Sequence, residues 1–470
     1  MLKITGGIVA VAVAFSGINF VFDAAAMGEY DALTEITYNY DGSDHTRMME
    51  SLGRGLVAVN TEDGVFLSWR MLGNECSVMD LVNAPDYILY KNGEEIAKIE
   101  DSTNYLDADG TIHDKYSVAI EDGDICEPVY AWQNNYTEIP LEKPEAETVY
   151  YQDSTGNEAS MNLEFSPADT SCGDLDGDGE YELIVKWVSA EKDVGSPGNP
   201  AYSGTVRFSA YELDGTKLWD NEINLGKNVY SSAHTVQFLV YDFDGDGKAE
   251  MICQTSLGSK DTAGNYVSNA ADPQTNPNIY NISDSENENT DYRITGYGLI
   301  IEGEEFLTVF NGETGEAVDT INLPTQRVSA LTFGDNSGNR CNRFIADVAY
   351  LDGINPYAVY WRGYYTQRGN SSVGRTAICG VKFENGRLSC EYNFDTYKGQ
   401  PGYVSGNEKL IGNGNHNMTV ADVDDDGMDE VISGSLCVEV DDKNNLVKKW
   451  CAPGRQDLSG PHHCGKRDLC

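Results

Sequence analysis

Three stretches of this chain carry carboxylates at a density that suggests chemistry rather than a solvated surface. "DLDGDGEYE" places Asp174, Asp176 and Asp178 on alternate positions, with Glu182 four residues on. "DFDGDGKAE" repeats the pattern with Asp242, Asp244, Asp246 and Glu250, and "DVDDDGMDE" with Asp422, Asp424, Asp426 and Glu430. Acids at positions 1, 3 and 5 of a tight loop converge on one point, and glycine at position 6 (Gly179, Gly247, Gly427) lets the backbone turn sharply. Hard oxygen ligands packed this closely suit Ca2+, which tolerates flexible oxygen coordination. The loops are not EF-hands: position 12 is Val185, Cys253 or Ser433, the acid falls at position 9, and the flanks read as strands. The expected cofactor is therefore Ca2+, chiefly as a staple between strands, with any catalytic calcium at a separate site.

A second set of residues follows from aligning the repeats on Asp176, Asp244, Asp352 and Asp424. Ten residues later stand Lys186, Gln254, Arg362 and Gly434, at equivalent ends of successive strands. Lys186 and Arg362, beside Trp187, Trp361, Tyr364 and Tyr365, are expected to form a cationic, aromatic mouth. Such a mouth suits an acidic sugar, whose carboxylate pairs with a guanidinium while its ring faces stack on aromatics. Surface ion pairs and core aromatics are the competing reading for each residue. His234 and His416 each open the strand that runs into an acidic loop, the second among Asn413, Asn415 and Asn417. Both are candidates for a ligand or a base. No nucleophile elbow, phosphate loop or Cys/His protease pattern is present in the sequence.

The elements that must position these residues read as short strands and turns. Each acidic loop is followed by an apolar run, "LIVKW", "MICQT" or "VISGS", and "AYLDGINPYAVYWRG" is a degenerate further copy. Strand–turn–strand units at this spacing predict a β-propeller over residues 146–450, with about five blades. The polar insertion at 258–298 is too long for an ordinary connection and reads as functional or disordered. Residues 54–145 alternate like a fibronectin-type β-sandwich around Trp69 and Tyr116, with hairpin turns at Asp63-Gly64 and Asn92-Gly93. Residues 1–26 read as an export signal, from Lys3, the apolar "IVAVAVAF" and Ala24-Ala25-Ala26, which makes the protein secreted and leaves no membrane segment after cleavage. Residues 451–470 break the pattern with three cysteines and two adjacent histidines, lack zinc-type spacing, and read as an aberrant or frame-shifted end.

Composition sets the outer limits. The chain has 470 residues, with 32 basic against 76 acidic ones, a formal net charge of −44. That balance excludes nucleic acid as a partner and admits an acidic polymer only where cations intervene. Eleven cysteines, odd in number and scattered, do not make a disulfide framework; only Cys379 and Cys390 are spaced to bridge a hairpin.

With these residues in hand, the chain resembles the rhamnogalacturonan lyases of the calcium-dependent propeller family, polysaccharide lyase family 11. The resemblance runs from residue 54 to 436, through "RGLVAVNTEDGVFLSWRMLG", "GDLDGDGEYELIVKW", "AHTVQFLVYDFDGDGKAE", "EFLTVFNGETGEA", "GDNSGNRCNRFIADVAYLDG", "WRGYYTQ" and "GNHNMTVADVDDDG". It implies an all-β chain, an eight-bladed-type propeller after a small sandwich, that cleaves the rhamnose–galacturonate backbone of rhamnogalacturonan I, a pectic polysaccharide, by β-elimination. It further implies that the cleft takes in Lys192, Asp193, His234, Arg362, Asn415 and His416. Arg362 or a Ca2+ paired with the uronate carboxylate would then stabilise the charge built there, making the elimination calcium-assisted, and His416 or His234 would serve as base. Lys186, Lys192, Asp193, Asn415, Trp361 and Tyr364 would bind substrate. Family members continue well past this point, so the resemblance implies an incomplete ring with an unpaired sheet edge. The expected protein is a monomeric lyase. A calcium-stabilised propeller that binds glycans or proteins without cleaving them is the alternative.

Overall fold

The computed structural model describes residues 47–48, 50, 53–71, 85–121, 123, 125–189, 202–334, 336–366, 373–424 and 426–451, and a backbone pairing of Ala12–Phe15 with Ile18–Val21. Apart from that pairing, the expected signal at 1–26 lies outside the described residues, as do Lys192, Asp193 and the tail beyond Cys451. No helix among the described residues is long and apolar enough to cross a membrane. The chain divides into two compact units, one holding Arg54–Asn135 and the other Ser43–Gly53 with Tyr136–Cys470.

The first unit is built from two antiparallel sheets. One pairs Val57–Thr61, Gly64–Ser68 and Asn104–Asp107; the other orders Glu94–Ile99, Tyr87–Lys91, Lys115–Ile120 and Val129–Tyr130. Alternate residues turn inward into one core of Ala58, Val65, Leu67, Trp69, Tyr87, Leu89, Tyr116 and Val118. Trp69 meets Tyr87 edge to face at 5.4 Å, and the buried Tyr116 hydroxyl donates to Asp107 at 2.8 Å. Asn92 (φ 54) and Gly93 (φ 86) supply the left-handed pair that a two-residue hairpin turn requires.

The second unit repeats a four-stranded antiparallel meander. The first meander comprises Ser166–Gly173, Glu182–Val188, Val206–Tyr211 and Ile223–Asn224, and the second Phe238–Tyr241, Glu250–Thr255, Phe306–Phe310 and Ala317–Asn322. The third comprises Phe344–Ala349, Tyr357–Arg362, Ala377–Glu384 and Arg387–Asp395, and the fourth Thr419–Ala421, Glu430–Ser433, Leu436–Val440 and Leu446–Cys451. Four such meanders are present among the described residues, against about five expected, because Glu147–Gln152 and Glu158–Leu163 form only a two-stranded hairpin.

Three apolar cores lie between successive meanders, which explains why the second strands are rich in apolar residues. Met251 and Cys253 pack with Phe208 of the first meander, whereas Ile252 packs with Tyr360 and Val381 of the third. Val359 and Trp361 turn the other way, onto Val431 and Val438 of the fourth. Both faces of the second strands of the second and third meanders are therefore buried, so these strands show no regular polar alternation. The first strands of neighbouring meanders meet in sequence, as do the fourth strands of the last three.

One expectation changes here and an open one narrows. Cys379 and Cys390 are both free thiols, because the register sets Cys379 opposite Asn393 and Cys390 opposite Val381. The insertion at 258–298 is ordered. It carries short helices at Pro277–Tyr280 and Asp284–Asn289, the latter held by a Ser283/Glu286 capping box, and buries Ala271 and Ile279 with Leu257 and Phe306.

Candidate functional site

The acidic loops join the first strand to the second in the first, second and fourth meanders, and they share one geometry. Position-6 glycines sit at φ 91, 92 and 88 for Gly179, Gly247 and Gly427. Their amides donate to the position-1 aspartates Asp174, Asp242 and Asp422 at 2.9, 3.0 and 2.9 Å. The position-2 amides of Leu175, Phe243 and Val423 donate to Glu182, Glu250 and Glu430 at 2.6, 3.0 and 2.7 Å. In each loop, three acids bring one oxygen apiece within 4.8 Å of the others: Asp174, Asp176 and Glu182; Asp242, Asp244 and Asp246; Asp422, Asp424 and Glu430. Asp178, Glu250 and Asp426 stand outside these tight groups.

What balances this charge differs from loop to loop. Glu182 Oε1 and Asp244 Oδ1 are buried with no hydrogen-bond partner. Burial, reinforced by the neighbouring aspartates, pushes Glu182 up to about 7 and Glu250 up to about 9. A divalent cation would satisfy both the orphaned oxygens and the mutual repulsion, so the residues of these two loops fit Ca2+. In the loop at Asp422–Glu430, Lys449 Nζ lies 3.0 Å from Glu430 Oε1 and 2.6 Å from Glu439 Oε2, and also contacts Asp424.

A second cluster lies at the opposite ends of the strands. Tyr364 and Tyr365 follow the second strand of the third meander, and His416 precedes the first strand of the fourth. Tyr364 meets His416 at 4.8 Å and Tyr365 at 6.1 Å, and Tyr365 meets His416 at 5.9 Å. Arg340 lies 5.2 Å over the Tyr365 ring and donates to Gly334 O at 3.3 Å. Arg343 hydrogen-bonds the Tyr364 hydroxyl, although burial prevails and pushes that hydroxyl up to about 12. Two half-exposed guanidiniums, the half-buried Tyr365 and an exposed imidazole thus gather around the buried Tyr364, on a chain carrying 44 excess negative charges. His416 precedes the strand Thr419–Ala421 and Asp422 follows it, so this cluster and the acidic loop flank opposite ends of that strand.

The sequence pattern of the rhamnogalacturonan lyase family 11 C-terminal domain matches residues 136–459, and that of the rhamnogalacturonan I lyase β-sheet domain matches residues 47–131. The chain belongs to rhamnogalacturonan lyase family 11. It is 41% identical over 404 residues to rhamnogalacturonan endolyase YesW of Bacillus subtilis (strain 168), covering 84% of this chain and 57% of that protein. Rhamnogalacturonan exolyase YesX of the same organism is 41% identical over 402 residues, with the same coverage. The crystal structure of YesW superposes with a TM-score of 0.67 at 38% identity, over 86% of this chain and 61% of that one. The chain therefore spans under two thirds of the length of these relatives.

Several residues expected at the lyase cleft lie elsewhere. Arg362 is fully buried: Nη1 and Nη2 pair with Glu305 at 2.9 and 2.7 Å, Nη1 also donates to Thr325 O, and Nε donates to Cys341 O. Burial opposes ionisation of Glu305, but Arg327 and Arg362 outweigh it and hold the carboxyl down at about 2. Arg362 is thus part of a buried scaffold and offers no open face to a substrate carboxylate. Lys186 is also fully buried, donating to Thr235 O and Val236 O at 3.2 and 3.3 Å. Val236 has φ 57, a strained backbone for a β-branched residue, so Lys186 braces the turn that presents the exposed His234. Trp361 is a core residue whose Nε1 donates to Gly363 O. Asn415 is half-buried, its amide donating to Ser433 Oγ at 3.1 Å. Tyr364 and His416 are brought together; His234 lies on the lead-in to another meander. Arg340 and Arg343 were missed, although "NRCNR" places two arginines three apart just before a strand.

Proposed function

We propose that this chain acts as a secreted, monomeric rhamnogalacturonan lyase, cleaving the rhamnose–galacturonate backbone of pectin by β-elimination, with Ca2+ as a structural ion. The observation that carries the proposal is the surface of Arg340, Arg343, Tyr364, Tyr365 and His416, a basic and aromatic patch on a very acidic protein. Arg340 and Arg343 pair with the galacturonate carboxylate and stabilise the charge that builds there as the C5 proton leaves. The Tyr365 ring, backed by the buried Tyr364, holds a pyranose face. His416 takes the C5 proton, the electron pair closes a C4–C5 double bond, and the C4 oxygen departs with the rest of the chain. Ca2+, when bound in the acidic loops, supplies charge compensation between strands, and no step of the elimination runs through it. Successive meanders that meet through their first strands, and in the last three through their fourth strands, support reading them as propeller blades.

Incubation with rhamnogalacturonan I and Ca2+ is expected to generate the ultraviolet absorbance of unsaturated uronate ends. Arg340→Ala should lower the rate by about tenfold or more, in line with a charged hydrogen bond of about 1.5–3 kcal/mol. New reducing ends without unsaturation would mean hydrolysis and would overturn the elimination. Glycan binding with no cleavage would instead favour a binding module.

A further inference from the structure

Lys449 occupies a β-bulge in the fourth strand of the fourth meander, where Cys437 faces Trp450 and Val438 faces Lys448. The same bulge recurs in two other meanders. Its extra residue is Val318 in the second, between the pairs Val309–Asp319 and Phe310–Ala317, and Glu391 in the third, between Gly380–Tyr392 and Val381–Cys390. Each bulge residue matches the adjoining turn. Val318 packs among apolar side chains and brings no charge to the loop at Asp242–Glu250. Glu391 shares the Tyr357 hydroxyl with Asp352, in a turn already filled by the Asn355 amide. Lys449 reaches into the loop at Asp422–Glu430, contacting Asp424 and Glu430, two of the three acids whose oxygens converge there.

We propose that Lys449 is the built-in counter-ion of the Asp422–Glu430 loop, which takes no calcium, while the loops at Asp174–Glu182 and Asp242–Glu250 do. The inference rests on reading those two loops as calcium sites. The first loop is the control supplied by the chain itself. It has the same acids, including Glu212 next to Tyr211, the partner of Leu183, just as Glu439 is next to Val438, the partner of Val431. Lys217 is turned to Glu222 and Glu142, and Lys248, whose stem lies against Gly177 of this loop, gives its ammonium to Glu313. Glu182 Oε1 is left without a partner, whereas Glu430 Oε1 holds the ammonium. A divalent ion entering the Asp422–Glu430 loop would have to displace an ammonium already bonded to three carboxylates, or sit beside it against like-charge repulsion.

Calcium stoichiometry of the full chain, stripped with EGTA and titrated calorimetrically, tests this, with circular dichroism confirming the fold of each variant. Asp176→Asn should lower the number of bound ions by one, and Asp424→Asn should leave it unchanged. Lys449→Gln should raise it by one, and adding Asp424→Asn to that variant should remove the gained ion. A one-ion loss for Asp424→Asn alone would overturn the proposal, as would a folded Lys449→Gln with no gained ion. Should Lys449→Gln not fold, the Asp424→Asn count alone decides. If Asp176→Asn and Asp244→Asn both leave the count unchanged, the calcium reading of the loops falls and takes the proposal with it.

Discussion

The loops at Asp174–Glu182 and Asp422–Glu430 share their acid set, their glycine turn and their backbone hydrogen bonds, yet they meet the same electrostatic problem differently. In the first, a carboxylate oxygen is buried without a partner; in the other, Lys449, nineteen residues beyond Glu430, supplies the positive charge. A third solution lies at the other end of the strands, where Glu305 is ion-paired with both Arg327 and Arg362. Local sequence sets the shape of an acidic cage, but a residue on a distant strand determines what fills it. Carboxylates that depend on an ion from solvent should therefore behave differently from those that carry their own cation.

Chelation probes that difference most strongly. At free calcium a hundredfold above Kd, each calcium loop gains about 2.7 kcal/mol, so two loops lose about 5 kcal/mol when EGTA is added. The expected result is a marked fall in Tm, with amide-exchange protection lost around 174–182 and 242–250 and retained around 422–430. Equal loss at all three segments would break the comparison.

Next in size is the internally paired cluster. Glu305→Gln leaves Arg327 and Arg362 buried without a counter-charge, which should cost about 3–5 kcal/mol in urea unfolding. Because the lost charge is not in a calcium loop, excess calcium should not restore it. Unchanged stability would mean that the cluster is hydrated and contributes little.

The acidic loops and the strands around them were legible because both signals are local: acids at fixed offsets from a glycine, and continuous apolar runs where both sheet faces are buried. The hairpin at Asn92-Gly93 was legible for the same reason. The ends of the second strands were not. Lys186 and Arg362 share a register, but that register cannot distinguish a cation opening onto a cleft from one sealed beneath it. Arg362 is sealed because Glu305 stands on the neighbouring meander, fifty-seven residues away. Arg340 and Arg343 escaped notice because neither belongs to the repeat; only the fold carries them to Tyr364, Tyr365 and His416. Composition left the insertion at 258–298 open between functional and disordered, although its Ser283/Glu286 spacing is a capping box.

pH separates the unpaired loop glutamates from Glu305 by the sign of their effect, with the smallest expected change. Glu182 titrates at about 7 in the calcium-free fold, against an ordinary 4.5, and Glu250 at about 9, both because burial opposes charge. Carboxyls raised in this way favour the folded state at low pH. Their contribution is lost as pH rises through 4.5 to 7 for Glu182, and on to 9 for Glu250. Glu305 behaves oppositely: held at about 2, it stabilises the fold above 4.5, and that stabilisation is lost as pH falls towards 2. In EGTA, Tm should therefore decline from pH 5 to pH 8, by the equivalent of about 1 kcal/mol for each loop glutamate, since the turns around them are open to water. Calcium needs the ionised carboxylates, so the Tm gain on adding it should grow over the same range. A calcium increment independent of pH would show that Glu182 and Glu250 are already ionised in the calcium-free fold.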